Sequence, residues 1–141
     1  MAVYKTGSPA QTAALGEKLA QELRGGEVIA FEGGMGMGTT VFTAGVAKGL
    51  GVEKGVASPT FTIVREYEGR LPIYHFDLYR ITSFEDLYSC GFFDYLGGDG
   101  VVLIEWSENF AQYLPENTIR VAFSRGETDD ERIIEITPQP R

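Results

Sequence analysis

The stretch Gly33-Gly34-Met35-Gly36-Met37-Gly38-Thr39-Thr40 combines four glycines with two adjacent hydroxyls. It follows the phosphate-loop pattern G-x-x-x-x-G-K-[ST], except that Thr39 stands in the place of the lysine. Thr40 takes the hydroxyl position that meets Mg²⁺ in such loops, and Val41 follows it. Glycine suits this chemistry because backbone N–H groups must wrap a phosphate that side chains would keep away. A helix starting at the loop adds its positive end. The loop residues alone fit either this cradle or a tight glycine turn between strand and helix. The dinucleotide pattern G-x-G-x-x-G is excluded, because Val41 falls where Gly36 and Gly38 would need their third glycine.

Two carboxylates end apolar runs. Glu105 closes Val101-Val102-Leu103-Ile104, and Asp77 closes Ile73-Tyr74-His75-Phe76. In a parallel α/β sheet the strand C-termini open on the same edge as a glycine loop. Glu105 is therefore expected on the metal side, and Asp77 is expected to hold Mg²⁺ or orient an attacking water. Either acid by itself also fits a solvated strand end or a helix cap. His75, the one histidine, reads as a strand histidine held by a partner rather than as a general base.

The surrounding pattern supplies elements that would position these groups. Ser8-Pro9-Ala10-Gln11 reads as a helix start, with Ser8 as N-cap, Pro9 in the first turn and Gln11 completing a capping box. Leu15, Leu19 and Leu23 then form an apolar stripe that Gly25-Gly26 should stop. Val28 to Phe31 is an apolar run of strand length that leads straight into the glycine loop, and Phe42, Val46 and Leu50 repeat at helical spacing after it. Thr60 to Val64 and Ile73 to Phe76 predict strands joined through Glu68-Gly69-Arg70. A helix is expected over Ser83 to Cys90, a second central strand over Val101 to Ile104, and an edge hairpin from Thr118 to Ser124 and Arg132 to Thr137. The sum is a single α/β domain over 1–141, a mixed sheet flanked by helices.

Composition narrows the function. With 141 residues, 43% hydrophobic and 23% charged, the chain has material for one ordinary core. Twelve basic against twenty acidic side chains leave a net charge of −8, the wrong sign for gripping a polyanion unaided. Residues 1–50 are balanced, so the excess acid lies in the remainder. Cys90 has no partner for a disulfide, no basic-then-apolar leader opens the chain, and no run approaches the ~20 apolar residues of a membrane span. A cytoplasmic location without membrane attachment is expected.

The order of motifs resembles the TsaE (formerly YjeE) family of small bacterial P-loop ATPases, needed to make the threonylcarbamoyladenosine modification of tRNA. The resemblance rests on the glycine loop, Ser58-Pro59-Thr60-Phe61-Thr62, His75-Phe76-Asp77-Leu78-Tyr79-Arg80 and Ile104-Glu105-Trp106, and spans roughly residues 8–124. It implies a P-loop NTPase-like fold binding ATP or ADP through Gly33, Gly34, Gly36, Met37, Gly38, Thr39, Thr40 and Val41, with Trp106 beside the nucleotide. It also implies Mg²⁺ at Thr40 and Glu105, catalytic roles for Asp77 and Glu105, and a switch-like loop carrying Thr60 and Thr62. The implied partners are TsaD and TsaB-type proteins of the transferase complex, with tRNA met only through them. The family loop reads G-x-x-G-x-G-K-T-T, so Thr39 and Val41 depart from it. Lys48 and Lys54 lie too far along the chain to stand in for the lysine, which leaves Arg65 and Arg80 as candidate cations. The alternative is a weakly binding, non-hydrolysing module of the same complex.

Overall fold

A computed structural model describes residues 2–33, 38–53 and 63–138. Seven strands make one mixed sheet: β1 (Ala2–Thr6), β2 (Val28–Glu32), β3 (Val64–Tyr67), β4 (Ile73–Asp77), β5 (Val101–Glu105), β6 (Ile119–Arg125) and β7 (Arg132–Thr137). Their order is β1-β7-β6-β2-β5-β4-β3. The centre is parallel, since β2 runs beside both β5 and β6 and β5 beside β4. The flanks, β7 with β6 and β1, and β3 with β4, are antiparallel.

Both faces of the central strands are covered, which is why their sequences are apolar without a break. Ile29 and Phe31 of β2 and Val101 and Leu103 of β5 join one core, with Leu19 and Leu23 and with Phe42, Val46 and Leu50. These last residues come from the segments of α1 (Pro9–Ala20) and α2 (Thr39–Gly49), which cover that face. Val28, Ala30, Val102 and Ile104 point the other way, into a core with Phe76, Leu87, Phe92 and Phe110, built from α3 (Phe84–Ser89) and two short 3₁₀ segments, Phe92–Tyr95 and Glu108–Tyr113. The two helices of the first layer lie close: a Cβ on Gly45 would collide with the Ala13 backbone, so only glycine fits there. Phe31, Phe42 and Phe123 meet edge to face, with ring centres 5.7–6.0 Å apart, beneath the start of α2.

The observed elements follow the sequence pattern with four differences. Ser8 caps α1 through the Gln11 N–H, but the Gln11 side chain reaches back to the Gly7 N–H at 2.6 Å, one residue earlier than a capping box. Helix α1 ends at Ala20, ahead of the glycine pair, and Leu23 closes the core from the following turn. The C-terminal hairpin is not at the edge: β1, which the sequence pattern did not suggest, pairs along β7 and takes that place. Strand β3 starts at Val64, and the expected strand residues Thr60 to Thr62 lie outside the described residues.

Candidate functional site

Parallel pairing places three chain ends side by side. Strands β2, β5 and β4 terminate at one edge, bringing together Gly33 just past β2, Glu105 and Asp77. Within β4 and β5, Asp77 lies opposite Glu105 and His75 opposite Leu103. Side chains alternate along a strand, so Glu105 shares the face of Leu103, and His75 and Asp77 share that of Ile73, the face covered by α2. His75 is thus one diagonal step from Glu105.

Gly33 leaves β2 with φ 122°, and a Cβ there would stand 2.5 Å from the Phe123 carbonyl oxygen. This is the second place where glycine is demanded, by both conformation and close approach. Of the remaining loop residues singled out by the sequence, Gly34, Gly36 and Met37 lie outside the described residues. The chain is described again at Gly38, the N-cap of α2, which makes no side-chain capping bond. The first intrahelical bond of α2 runs from the Phe42 N–H to the Gly38 carbonyl at 2.9 Å, so the N–H groups of Thr39, Thr40 and Val41 precede the ladder. Gly38, Thr39, Thr40 and Val41 line a cavity of about 280 Å³ together with Pro9, Thr12, Asp130 and Arg132. The positive end of α2 favours an anion there, while Arg132, which donates to the Asp129 and Glu131 carbonyls, and Asp130 bring opposite charges to the same lining.

Thr39, which also lines the cavity, reaches the end of β5 with its hydroxyl. Its hydroxyl donates to Glu105 Oε1 at 2.6 Å, and His75 Nε2 donates to Oε2 at 2.8 Å. A ring nitrogen facing a carboxylate must carry the proton, which fixes the donor. His75 is fully buried, and its Nδ1 has no hydrogen-bond partner among the described residues. Burial acts to push Glu105 up, but the hydrogen bonds from His75 and Thr39 outweigh it and hold the carboxyl below its usual range. Asp77 moves the opposite way. Burial raises it, and the nearby Glu105 charge adds to this against the Tyr79 N–H, which donates to Asp77 Oδ1 at 2.9 Å. Two neighbouring carboxyls are thereby pushed apart in acidity, Glu105 down and Asp77 up, a pattern that clusters at functional sites.

Trp106, next after Glu105, holds φ 60°, a left-handed backbone rare for a bulky residue. Such strain costs ~1–3 kcal/mol and concentrates at functional sites. Its ring packs against Tyr79 at 4.9 Å and against the second core, whereas the cavity at α2 is lined by other residues. Ser107 anchors this turn, its hydroxyl donating to the Phe31 carbonyl at 3.1 Å. Among the described residues, no group of three or more His, Cys, Asp or Glu is placed to hold a metal.

A family model described as "Threonylcarbamoyl adenosine biosynthesis protein TsaE" matches residues 6–134. The chain belongs to the TsaE family. It is 41% identical over 136 residues to the tRNA threonylcarbamoyladenosine biosynthesis protein TsaE of Bacillus subtilis, covering 95% of this chain and 84% of the relative. It is 40% identical over 115 residues to that of Treponema pallidum, covering 82% and 85%. The crystal structure of Bacillus subtilis YdiB superposes with a TM-score of 0.77 at 35% identity, over 94% of this chain and 82% of that one. The P-loop NTPase-like α/β fold expected from the sequence is therefore the fold of a TsaE protein.

Two residues of this TsaE site were not singled out as functional by the sequence. Arg132 and Asp130 come from the C-terminal hairpin, where their residue types read only as a strand start and a polar turn. They reach the cavity because β6 lies directly against β2, a pairing that no local pattern announces. His75, read from the sequence as a strand histidine held by a partner, lies in β4 with Glu105 as that partner. The cations proposed to replace the lysine, Arg65 and Arg80, are exposed, and the cavity is lined without them. Thr60 and Thr62 lie outside the described residues.

Proposed function

We propose that this chain is a nucleotide-dependent accessory protein of tRNA threonylcarbamoyladenosine formation. It would bind ATP with Mg²⁺ at the β2–α2 loop and act on a transferase complex of TsaD and TsaB-type proteins. The observation that carries the reading is the convergence, at one sheet edge, of the first turn of α2 with Glu105, held below its usual range, and Asp77, raised above it. Family membership supports the biological setting, because the relatives are named as tRNA threonylcarbamoyladenosine biosynthesis proteins.

The residues fit the groups. The N–H groups of Thr39 to Val41 precede the helical ladder at the cavity and suit phosphate oxygens, and Arg132 brings a positive charge to a lining that also holds Asp130. Mg²⁺ in such sites takes few protein ligands and completes its shell with phosphate and water, so the absence of a three-acid cluster among the described residues is compatible with it. Glu105 is ionised, and each of its oxygens keeps a lone pair beyond the bond it accepts. Thr40, exposed at the cavity, offers the hydroxyl. The metal would neutralise phosphate charge; Asp77 would accept or orient the proton of an attacking water, and His75 and Thr39 hold Glu105 in place.

One observation favours a second reading, nucleotide binding without hydrolysis: the lysine position is filled by a threonine already committed to Glu105. Calorimetric titration with ATP and ADP, with and without Mg²⁺, together with phosphate release in the presence of the TsaD–TsaB complex, separates the two. Micromolar affinity and complex-stimulated release are expected. Weak binding with no release would support the second reading, and millimolar or absent affinity would remove the ATPase reading.

A further inference from the structure

The sequence from Ile81 to Ile119 contains no lysine, arginine or histidine, yet carries seven carboxylates. The same stretch forms α3 and the two 3₁₀ segments. Helix α3 buries Leu87 completely but turns Phe84 and Tyr88, one turn apart, to solvent with 45% and 68% of their surface exposed. These are not isolated apolar side chains. The Phe84 ring lies 4.8 Å from that of Tyr113, 5.8 Å from Phe93 and 6.3 Å from Tyr88, making a connected aromatic surface. Exposed Glu85, Asp86 and Asp94 surround it. A connected apolar patch with a polar rim is the anatomy of a protein interface, where aromatic residues supply most of the binding energy.

We infer that the aromatic face of α3 docks a protein partner presenting an apolar recess ringed by lysine or arginine. The charge argument selects this occupant. A second copy would set one acidic rim against another, and an anionic lipid surface or a nucleic acid would be repelled by the same carboxylates. A basic rim both complements the acids and steers the encounter. The inference rests on the reading that the chain works on the transferase complex, which it deepens by naming the contact surface; α3 itself lies outside the nucleotide site.

The test measures binding of the purified TsaD–TsaB complex to the full chain at low and high salt. Phe84→Ser combined with Tyr88→Ser should weaken binding about 30-fold or more, as expected for central aromatic anchors. Glu85→Lys combined with Asp86→Lys should weaken it about tenfold and flatten the salt dependence. Tyr88→Ser alone removes a largely exposed ring, so it keeps the melting temperature and should still cost about tenfold, which guards against a double variant that fails to fold. If the native chain binds and the variants bind equally well, the docking face is wrong while the partner reading stands. If the native chain does not bind the complex, the partner reading falls and takes this inference with it. Dimerisation of the native chain abolished by Tyr88→Ser, or binding to anionic vesicles lost in the same variant, would assign the face to another occupant and overturn the proposal.

Discussion

The Thr39 hydroxyl stands 2.6 Å from Glu105 Oε1, tying the first residue of α2 to the end of β5 across the mouth of the site. In the family pattern this position carries a lysine, a side chain long enough to leave the sheet and meet phosphate. A threonine is too short to do so and satisfies the carboxylate instead. Arg132 is then the one cation among the residues that line the cavity, and Asp130 lines it too.

Thr39→Lys should tighten ATP binding. One added charge-assisted contact is worth roughly 1.5–3 kcal/mol, or about tenfold to a hundredfold in affinity. Hydrolysis should rise further, because the lysine also meets charge that shifts in the transition state. Titration of the native chain, Thr39→Lys, and Thr39→Lys with Val41→Thr measures both. Three folded proteins without detectable ATP binding would mean the site is lost for reasons beyond the lysine.

Glu105→Gln keeps a partner for Thr39 and His75 but removes the charge. Because the folded carboxyl is held below its ordinary value of 4.5, its stabilisation is fully present above that pH and is lost as pH falls through the lower, folded value. The variant should therefore be less stable than the native chain near pH 7, by about 1–2 kcal/mol. The gap should close in acid, read as urea midpoints across the range. Any Mg²⁺ dependence of nucleotide binding should vanish with the charge; dependence that persists would leave Glu105 a structural acid.

What the sequence made legible was whatever depends on neighbours in the chain. The unbroken apolar runs of β2 and β5 mark strands covered on both faces, and each run ends in a residue of the site, Gly33 or Glu105. What depends on strand order was hidden. Lys5 and Tyr4 in β1 look like an undirected polar segment until β7 supplies the partner strand. Arg132 becomes a cavity residue only once β6 is known to lie against β2. The pairing of Thr39 with Glu105 was hidden for a chemical reason, since a motif records which residue is missing but not what its replacement binds.

Purified protein should not retain tRNA in low-salt gel shifts. The net charge is −8, and the stretch from Ile81 to Ile119 offers no cation, so counterion release has little to draw on. Association should appear only when the TsaD–TsaB complex is added. A shifted band with the chain alone would contradict the charge argument.

Asp77 supplies the sharpest contrast between stability and activity. Its folded carboxyl titrates above the ordinary 3.8, mainly through burial and then through the Glu105 charge, against the Tyr79 N–H. A raised acid stabilises the fold below the unfolded value and loses that contribution as pH rises through the folded one, so at neutral pH the ionised group is a net cost. Asp77→Asn retains an oxygen for the Tyr79 N–H and removes the charge. It should raise the melting temperature at pH 7 by roughly 1–3 °C, with no gain below pH ~3.5. In the same variant hydrolysis should fall far more than ATP affinity, because a group acting on the attacking water is felt in the transition state. A more stable but slower protein is the signature of an acid kept for chemistry at the expense of the fold. Equal losses of affinity and turnover, or a lower melting temperature, would return Asp77 to a turn-forming role at the end of β4.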